Sequence, residues 1–361
     1  MVVVTYETHG GRDCADRPKG NREALTRALP PGPPAPTASL PIMLTSRACG
    51  LAAGLMADAL LGDPEHHHPV AWFGSWAHWL EQRMHADDTV RGTLYLAAVL
   101  APLAGASIAL ELNSRRHPLT HAAVTALCTW AVVGAHSLSR EGTLMAERLD
   151  LDDLDGARAR LGNLCGRDPS GLDHEELARA AVESMAENTA DAVVASLWWG
   201  ALGGIPGLVL HRGINTLDAM VGHRTQRFAH FGTASARMDD LAALAPARIT
   251  GLAACLLAPY VGGSTRESWR IMRRDARRHP SPNGGWCEAA WAGALGVQLG
   301  GRNVYARRTE TRPLLGEGPR PRSPELRRAA ALVGAVTASA TAVAVLGLLA
   351  TARLGTGRDR P

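Results

Sequence analysis

The chain has 361 residues, with 38 Lys and Arg against 34 Asp and Glu, 46% hydrophobic residues and only 4% aromatic ones. A net charge of +4 without aromatic platforms excludes a nucleic-acid partner. Every basic residue but Lys19 is arginine. The body of the chain therefore has no lysine for a Schiff base or a P-loop, which excludes pyridoxal-phosphate (PLP) enzymes and P-loop NTPases together.

Residues 1–41 carry scattered charge and a Pro-rich run at 29–36. That composition cannot bury a core and predicts a disordered, solvated tail, without the layout of a signal peptide. Met43 stands just before the first apolar run and is the expected start of translation, which makes the preceding residues a mis-assigned extension. Apolar stretches of bilayer length then recur. Residues 93–110 and 119–138 carry no Asp, Glu, Lys or Arg and are joined by the short polar segment 111–118, which predicts a helical hairpin; residues 329–350 form the clearest span. Three further candidates carry charge: 42–61 (Arg47, Asp58), 190–210 (Asp191) and 241–261 (Arg248). The small-residue pairs Gly50/Gly54 and Gly200/Gly204 would permit close helix contact.

Alternating patterns are scarce, so the expected fold class is all-α: a polytopic helical integral membrane protein with polar interfacial and cytoplasmic loops. It would form a single membrane-embedded domain over 42–350 and end in a polar tail, 351–361. The mean hydropathy of −0.05 blends these apolar spans with polar segments and describes neither. Residues 264–328 hold fourteen arginines and should be cytoplasmic; the Arg115-Arg116 loop votes for the same side. Whether both hold depends on whether the three charge-bearing segments span fully or only dip in. The six cysteines have no paired spacing and read as small buried hydrophobes, so no disulfide or zinc site follows.

Four polar blocks border the apolar runs. The first, Gly62 to Val70, places Asp63 and His68 at the end of an apolar stretch. In the second, Asp173 and Glu176 form a capping box. Arg179, Glu183, Glu187 and Asp191 then recur every fourth residue on one helical face. Neighbouring anions there call for a cation, and a Mg²⁺ held by carboxylates, water and phosphate oxygens fits; a solvated salt-bridge face is the plainer alternative. The third block holds Asn215, Asp218, Arg237, Asp239, Asp240 and Arg248. The fourth, from Arg274 to Trp286, includes His279, Ser281 and Asn283.

At these blocks the sequence resembles the CobD/CbiB family of cobalamin biosynthesis, adenosylcobinamide-phosphate synthase. The matching strings are G-D-P-x-x-x-H-P-V (62–70), G-R-D-P-S-G-L (166–172), R-A-A-V-E-S-M-A-E-N-T-A-D (179–191), N-T-L-D-A-M-V-G (215–222), A-R-M-D-D (236–240), P-A-R (246–248), and H-P-S-P-N-G-G-W with A-G-A-L-G-V-Q-L-G-G (279–301). They follow in order along the body of the chain. Pro169, Ala219 and His223 stand where the family usually has Thr, Ser and Tyr.

The resemblance implies an enzyme of the cell membrane that converts adenosylcobyric acid to adenosylcobinamide or its phosphate. Aminopropanol, or its O-phosphate, would be joined to the f propionate carboxylate by an ATP- and Mg²⁺-dependent ligation, in contact with the bilayer and with other late cobalamin-pathway membrane enzymes. The lysine-free body excludes the PLP decarboxylase that shares the CobD label.

On this reading Glu183, Glu187, Asp191 and Asp239 hold metal, and Glu183, Asp191, Asp218, Asp240 and His279 are catalytic. Asp63, His68, Arg167, Asp168, Asn188, Asn215, Arg237, Arg248, Arg274, Ser281 and Asn283 bind substrate, the arginines replacing lysine at phosphate. Two other classes use the same features: a membrane metal-dependent phosphotransferase or hydrolase, and a transporter with Asp191 and Arg248 in its pathway.

Overall fold

A computed structural model describes residues 39–64, 68–223, 225–305 and 308–358; most of the Pro-rich tail and the triplet 65–67 lie outside them. The chain runs through α1 (Leu40–Leu61), α2 (Pro69–Met84), α3 (Thr89–Ser114), α4 (Pro118–Val133), α5 (Ala135–Asp150), α6 (Leu154–Leu161) and α7 (His174–Asn188). A π-helical turn (Thr189–Val194) leads into α8 (Ala195–Leu217), and a second (Asp218–Gly222) follows it. Then come α9 (Thr233–Ala242), α10 (Leu244–Leu257), α11 (Thr265–Asp275), α12 (Gly284–Leu295), strands β1 (Leu299–Tyr305) and β2 (Arg308–Leu315), and α13 (Ser323–Arg358).

Among the described residues six helical stretches are long and apolar enough to cross a bilayer, and each overlaps one of the six apolar segments of the sequence. The protein is a polytopic helical membrane protein. The 111–118 connection is tighter than its polarity suggests, because α3 continues to Ser114 and α4 starts at Pro118. At the α1–α4 crossing a side chain on Gly50 would meet Thr125 Cβ at 2.5 Å, and one on Gly54 would meet Ala126 O at 2.5 Å, so the glycines admit the partner backbone.

The apolar run around Asp191 is not one straight span. Gly204, at φ 63° and ψ −145°, breaks α8 just before Pro206. Beyond the break the chain runs back on itself. A Cβ on Gly207 would lie 2.0 Å from Trp199 O, and Ser196 Oγ is 3.4 Å from His211 Nδ1. Fifteen residues of straight helix would separate that second pair by about 22 Å. Residues 195–203 and 205–217 are thus two legs of a re-entrant hairpin.

The hairpin tip exposes backbone groups that a helix would satisfy internally, and a buried ion pair caps both ends. Arg47 Nη1 donates to Ala201 O at 3.0 Å, while Ile205 N donates to Glu111 Oε2 at 3.0 Å. Arg47 and Glu111 meet at 3.2 Å, and Arg115 and His121 also contact Glu111.

These contacts orient the bundle. The start of α1, the end of α3 and the start of α4 meet at the hairpin tip, with Arg115 beside them. The other end of α1 lies against the end of α4, where Trp130 Nε1 donates to Gly62 O and His136 N to Asp58 Oδ2, both at 3.0 Å. Ser139 Oγ donates to Ala330 O at 3.0 Å, which puts the start of α13 at that same end, and Arg328 Nε donates to Val261 O at 2.7 Å, which brings both ends of the arginine-rich segment 264–328 there. The Arg115-Arg116 loop and the arginine-rich segment therefore lie at opposite ends of the bundle, and α10, which runs from the acidic site to Val261 O beside Arg328, begins and ends at one face as α8 does. Of the two arginine-bearing loops, only one can be cytoplasmic, which answers the question the sequence left open.

The largest core joins α5, α7, α10, α12 and the first half of α13 around the buried Trp291. The sequence reading missed the antiparallel pair β1–β2, in which Leu299 faces Leu315 and the register shifts at Gly301. Gly300, Gly301 and Pro313 remove the alternation by which strands are recognised.

Candidate functional site

The carboxylates of the second and third sequence blocks converge at the base of the re-entrant hairpin. Helix α7 starts at Asp173, whose side chain accepts from Glu176 N at 2.9 Å as the capping box requires, and ends just past Glu187. Each hairpin leg then meets a π-helical turn carrying one aspartate, Asp191 at the entry and Asp218 at the exit. Such turns insert a residue and redirect side chains, and they recur at functional sites. Helix α9 supplies Asp239 and Asp240. The charges of Asp239, Glu187 and Asp218 all bear on Asp191, and Asn215 Nδ2 donates to Asp239 Oδ1 at 3.4 Å.

Burial first, and then the charges of Asp218 and Asp240, push the Asp239 carboxyl up to about 7, with the Asn215 bond opposing. Burial also raises Asp240. Among the described residues none of Asp191, Asp218, Asp239 and Asp240 forms an ion pair. The charge of Arg212, on the returning leg, acts on both Asp191 and Asp63.

A second cluster abuts the first through Glu187. One ligand atom each from Glu187, His279 and Glu288 lies within 4.8 Å of the others, a donor set that a metal could use. Arg312, from β2, occupies that position instead: its Nη1 is 3.3 Å from His279 Nε2, 3.5 Å from Glu288 Oε1 and 4.0 Å from Glu187 Oε1. Ser281 N donates to His279 Nδ1 at 3.1 Å and Arg312 Nη1 approaches Nε2 at 3.3 Å, so donors face both ring nitrogens and compete for the single lone pair of a neutral imidazole. Burial lowers the His279 pKa and keeps the ring neutral. Burial, followed by Glu187 and Glu183, raises that of Glu288. With the Arg312 guanidinium in place between its members, this trio does not fit a metal. The aspartates offer the chemistry a Mg²⁺ site asks for: hard oxygen donors whose charges bear on one another and that form no ion pair among the described residues, with Glu187 beside them.

The CobD/Cbib protein family model matches residues 51–333. The "Cobalamin biosynthesis protein CobD" of Mycobacterium tuberculosis (strain H37Rv) is 45% identical over 302 residues, covering 83% of this chain and 96% of that protein. Its namesake from Geobacter metallireducens is 44% identical over 283 residues (77% and 89%), and that from Rhodobacter capsulatus 41% over 287 (78% and 89%). The chain belongs to the CobD/CbiB family. It is thereby a protein of cobalamin biosynthesis. No solved structure matches it.

Within this family frame the structure sorts the residues expected from sequence. Glu187, Asp191, Asn215, Asp218, Asp239 and Asp240 come together as described. Glu183 does not join them as a metal ligand. Its two oxygens are taken by Arg167, by Arg179 at 3.1 Å and by Gly300 N at 2.7 Å, and it is wholly buried. Those contacts hold its carboxyl in the ionised form and pin β1 to α7. Arg167, expected to bind substrate, is consumed in the same network.

Arg274, expected at phosphate, forks onto Asp275 with two bonds of 2.8 Å and reaches Glu317. Arg248 donates to Leu244 O at 2.6 Å and Asn283 Oδ1 at 3.1 Å, with its guanidinium over the Trp286 ring, so it clamps the 280–283 loop. Ser281 Oγ accepts from Gly284 N at 3.1 Å and Asn283 Nδ2 donates to Asp240 O at 2.7 Å. These two residues shape the rim of the acidic site instead of presenting free donors. Arg237 is exposed on α9 beside the aspartates.

Asn188 donates to Ser184 O at 2.9 Å and tethers the loop at Leu164, while Asp168 closes its own turn onto Ser170 N at 3.0 Å. His68 caps α2 and faces Asp63 at 3.7 Å. Asp63, Asn188 and Arg212 line one small cavity between α5, α7 and α8. Arg212, Glu288 and Arg312 escaped the sequence reading. The first two are lone charges in apolar runs, the same signal that marked Asp191. Arg312 is one of many arginines and carries no signal of its own.

Proposed function

We propose that the protein catalyses the ATP-dependent ligation of aminopropanol, or its O-phosphate, to the f propionate carboxylate of adenosylcobyric acid at the cytoplasmic membrane. The observation that carries this reading is the convergence of Asp191, Asp218, Asp239, Asp240 and Glu187 at the base of the re-entrant hairpin, on the arginine-rich face that the positive-inside rule assigns to the cytoplasm.

A carboxylate does not acylate an amine until one oxygen becomes a leaving group. In the proposed sequence the propionate oxygen attacks the γ-phosphorus of ATP, and ADP departs. The amine nitrogen then attacks the acyl carbon of the acyl phosphate, the C–O bond to phosphate breaks, and the nitrogen gives up a proton. Asp191, Asp239 and Glu187 would hold Mg²⁺, which would supply charge screening for the triphosphate. Arg212 and the exposed Arg237 stand for the missing lysine at phosphate, in place of Arg248 and Arg274.

Asp240, at the rim and with its carboxyl pKa raised, accepts the amine proton. His279 is unsuited to that task because hydrogen-bond donors, Ser281 N and Arg312 Nη1, face its two ring nitrogens. Holding both reactants over one set of fixed carboxylates supplies much of the rate.

The test is a substitution series in membranes. Asp191→Asn, Asp218→Asn and Asp240→Asn should each abolish cobinamide formation while leaving membrane insertion intact; full activity in all three would refute the site assignment. In cells, the gene should rescue an auxotroph blocked between cobyric acid and cobinamide. Growth on cobinamide but not on cobyric acid, unchanged by the gene, would refute the reaction.

A further inference from the structure

We infer that α2 is not a cytosolic connector but an in-plane helix embedded in the bilayer interface, and that its occupant is the lipid headgroup region. Helix α1 ends, and α3 begins, at the face that carries the acidic site. Only residues 62–68 and 85–88 link α2 to these two spans. Sixteen residues of helix rise about 24 Å, short of the roughly 30 Å hydrocarbon core, and α2 is not among the apolar spans. With both ends tied to one face by short links, α2 runs along that face.

Its side chains divide into three strips at about 100° per residue. Trp72, Trp76, Trp79 and Arg83 fall within about 40° of one line. The three rings remain 59%, 37% and 49% exposed, and the Arg83 guanidinium stacks 3.7 Å over Trp79. A second strip, Phe73, Ala77, Leu80 and Met84, packs into the protein against Tyr95 and Phe231. The third, Ser75, His78 and Gln82, is polar and exposed; His78 and Gln82 open onto a cleft of 330 Å³ beside Met220 and Phe228.

A stripe of three indoles would be a liability on a face turned to water. Beside membrane spans it is the composition of the interfacial belt, where the ring is apolar, its N–H finds water and an arginine head reaches lipid phosphate. Set at this depth, α2 fixes the level of His68 and Asp63 at its N-terminus and of the segment after Asp218 at its flank.

The test uses the full-length protein in phosphatidylcholine vesicles containing lipids spin-labelled near the headgroup or deep in the acyl chain. The emission lost between wild type and the W72F/W76F/W79F variant reports the stripe, and the three single Trp→Phe variants report it if the triple variant fails to fold. Expected is strong quenching of this difference emission by the shallow label, weaker quenching by the deep label and little by aqueous iodide. Full quenching by iodide without lipid quenching would overturn the inference and mark the stripe as a site for a soluble partner. Stronger quenching by the deep label would overturn it in favour of a helix sunk in the core.

Discussion

Glu183 and Glu187 lie one turn apart on the same face of α7, and their surroundings give them opposite work. Glu183 is a buried anion answered by two arginines and a backbone N–H; Glu187 faces the aspartates and Arg312. Four-residue spacing establishes the shared face but not the partners, because Arg312 and Gly300 come from a hairpin more than a hundred residues away. Removing one member of a buried pair costs about 3–5 kcal/mol. Glu183→Gln is accordingly expected to lower the thermal midpoint sharply. Glu187→Gln should leave it nearly unchanged and abolish stabilisation by Mg²⁺. Equal loss of stability in the two variants would contradict this division.

Asp239 adds a pH dependence. Its carboxyl is raised to about 7 in the folded protein by burial first and Asp218 next. The folded state therefore holds a proton that the unfolded chain releases near 3.8. The stability this contributes is complete below that value and lost as pH rises through about 7. A cation bound to the ionised cluster compensates, so Mg²⁺ should raise the thermal midpoint more at pH 8 than at pH 6. An equal rise at both would argue against a cation at Asp239.

At the scale of elements, the capping box, the tight α3–α4 connection and the glycine crossing of α1 on α4 are legible because each follows from neighbouring residues or a single period. The re-entrant hairpin is less so. Hydropathy averages its two short legs into one span, and only the breaker run Gly203-Gly204-Ile205-Pro206 hints at the reversal. What makes the reversal stable, Arg47 and Glu111 capping the tip, is contributed by two other helices.

Gly204→Ala would place a Cβ 2.7 Å from Arg47 Nη2 and 2.8 Å from Glu111 Oε2, at a backbone conformation that only glycine adopts easily. The variant is expected to insert but to lose detergent-resistant folded protein, measured by size-exclusion chromatography. Wild-type recovery would mean that the tip is not built as described. The β1–β2 pair was illegible for a different reason, its glycines and proline masking the alternation.

For the whole molecule, the count of six apolar stretches was readable from composition, whereas their sidedness was not, because two of them, the α8 hairpin and α10, begin and end at one face. Arg116 and Arg277 lie at opposite ends of the bundle. Arg116→Cys and Arg277→Cys should react with a membrane-impermeant maleimide from opposite sides of sealed vesicles, over the wild-type background; labelling from one side only would contradict the topology.

The fold-back of α8 brings Asp191 and Asp218 to a single face, next to the helix α9 carboxylates and under the arginine-rich segment, and this is what makes a phosphoryl-transfer site there physically reasonable. The central claim is tested most directly by incubating the purified protein, in lipid nanodiscs, with adenosylcobyric acid, aminopropanol phosphate, ATP and Mg²⁺, and following corrinoid and nucleotide by mass spectrometry. The expected result is one amide product formed per ADP released, absent without Mg²⁺ and absent in Asp191→Asn and Asp218→Asn. Amide formation that is independent of ATP, or that is undiminished in both variants, would contradict it.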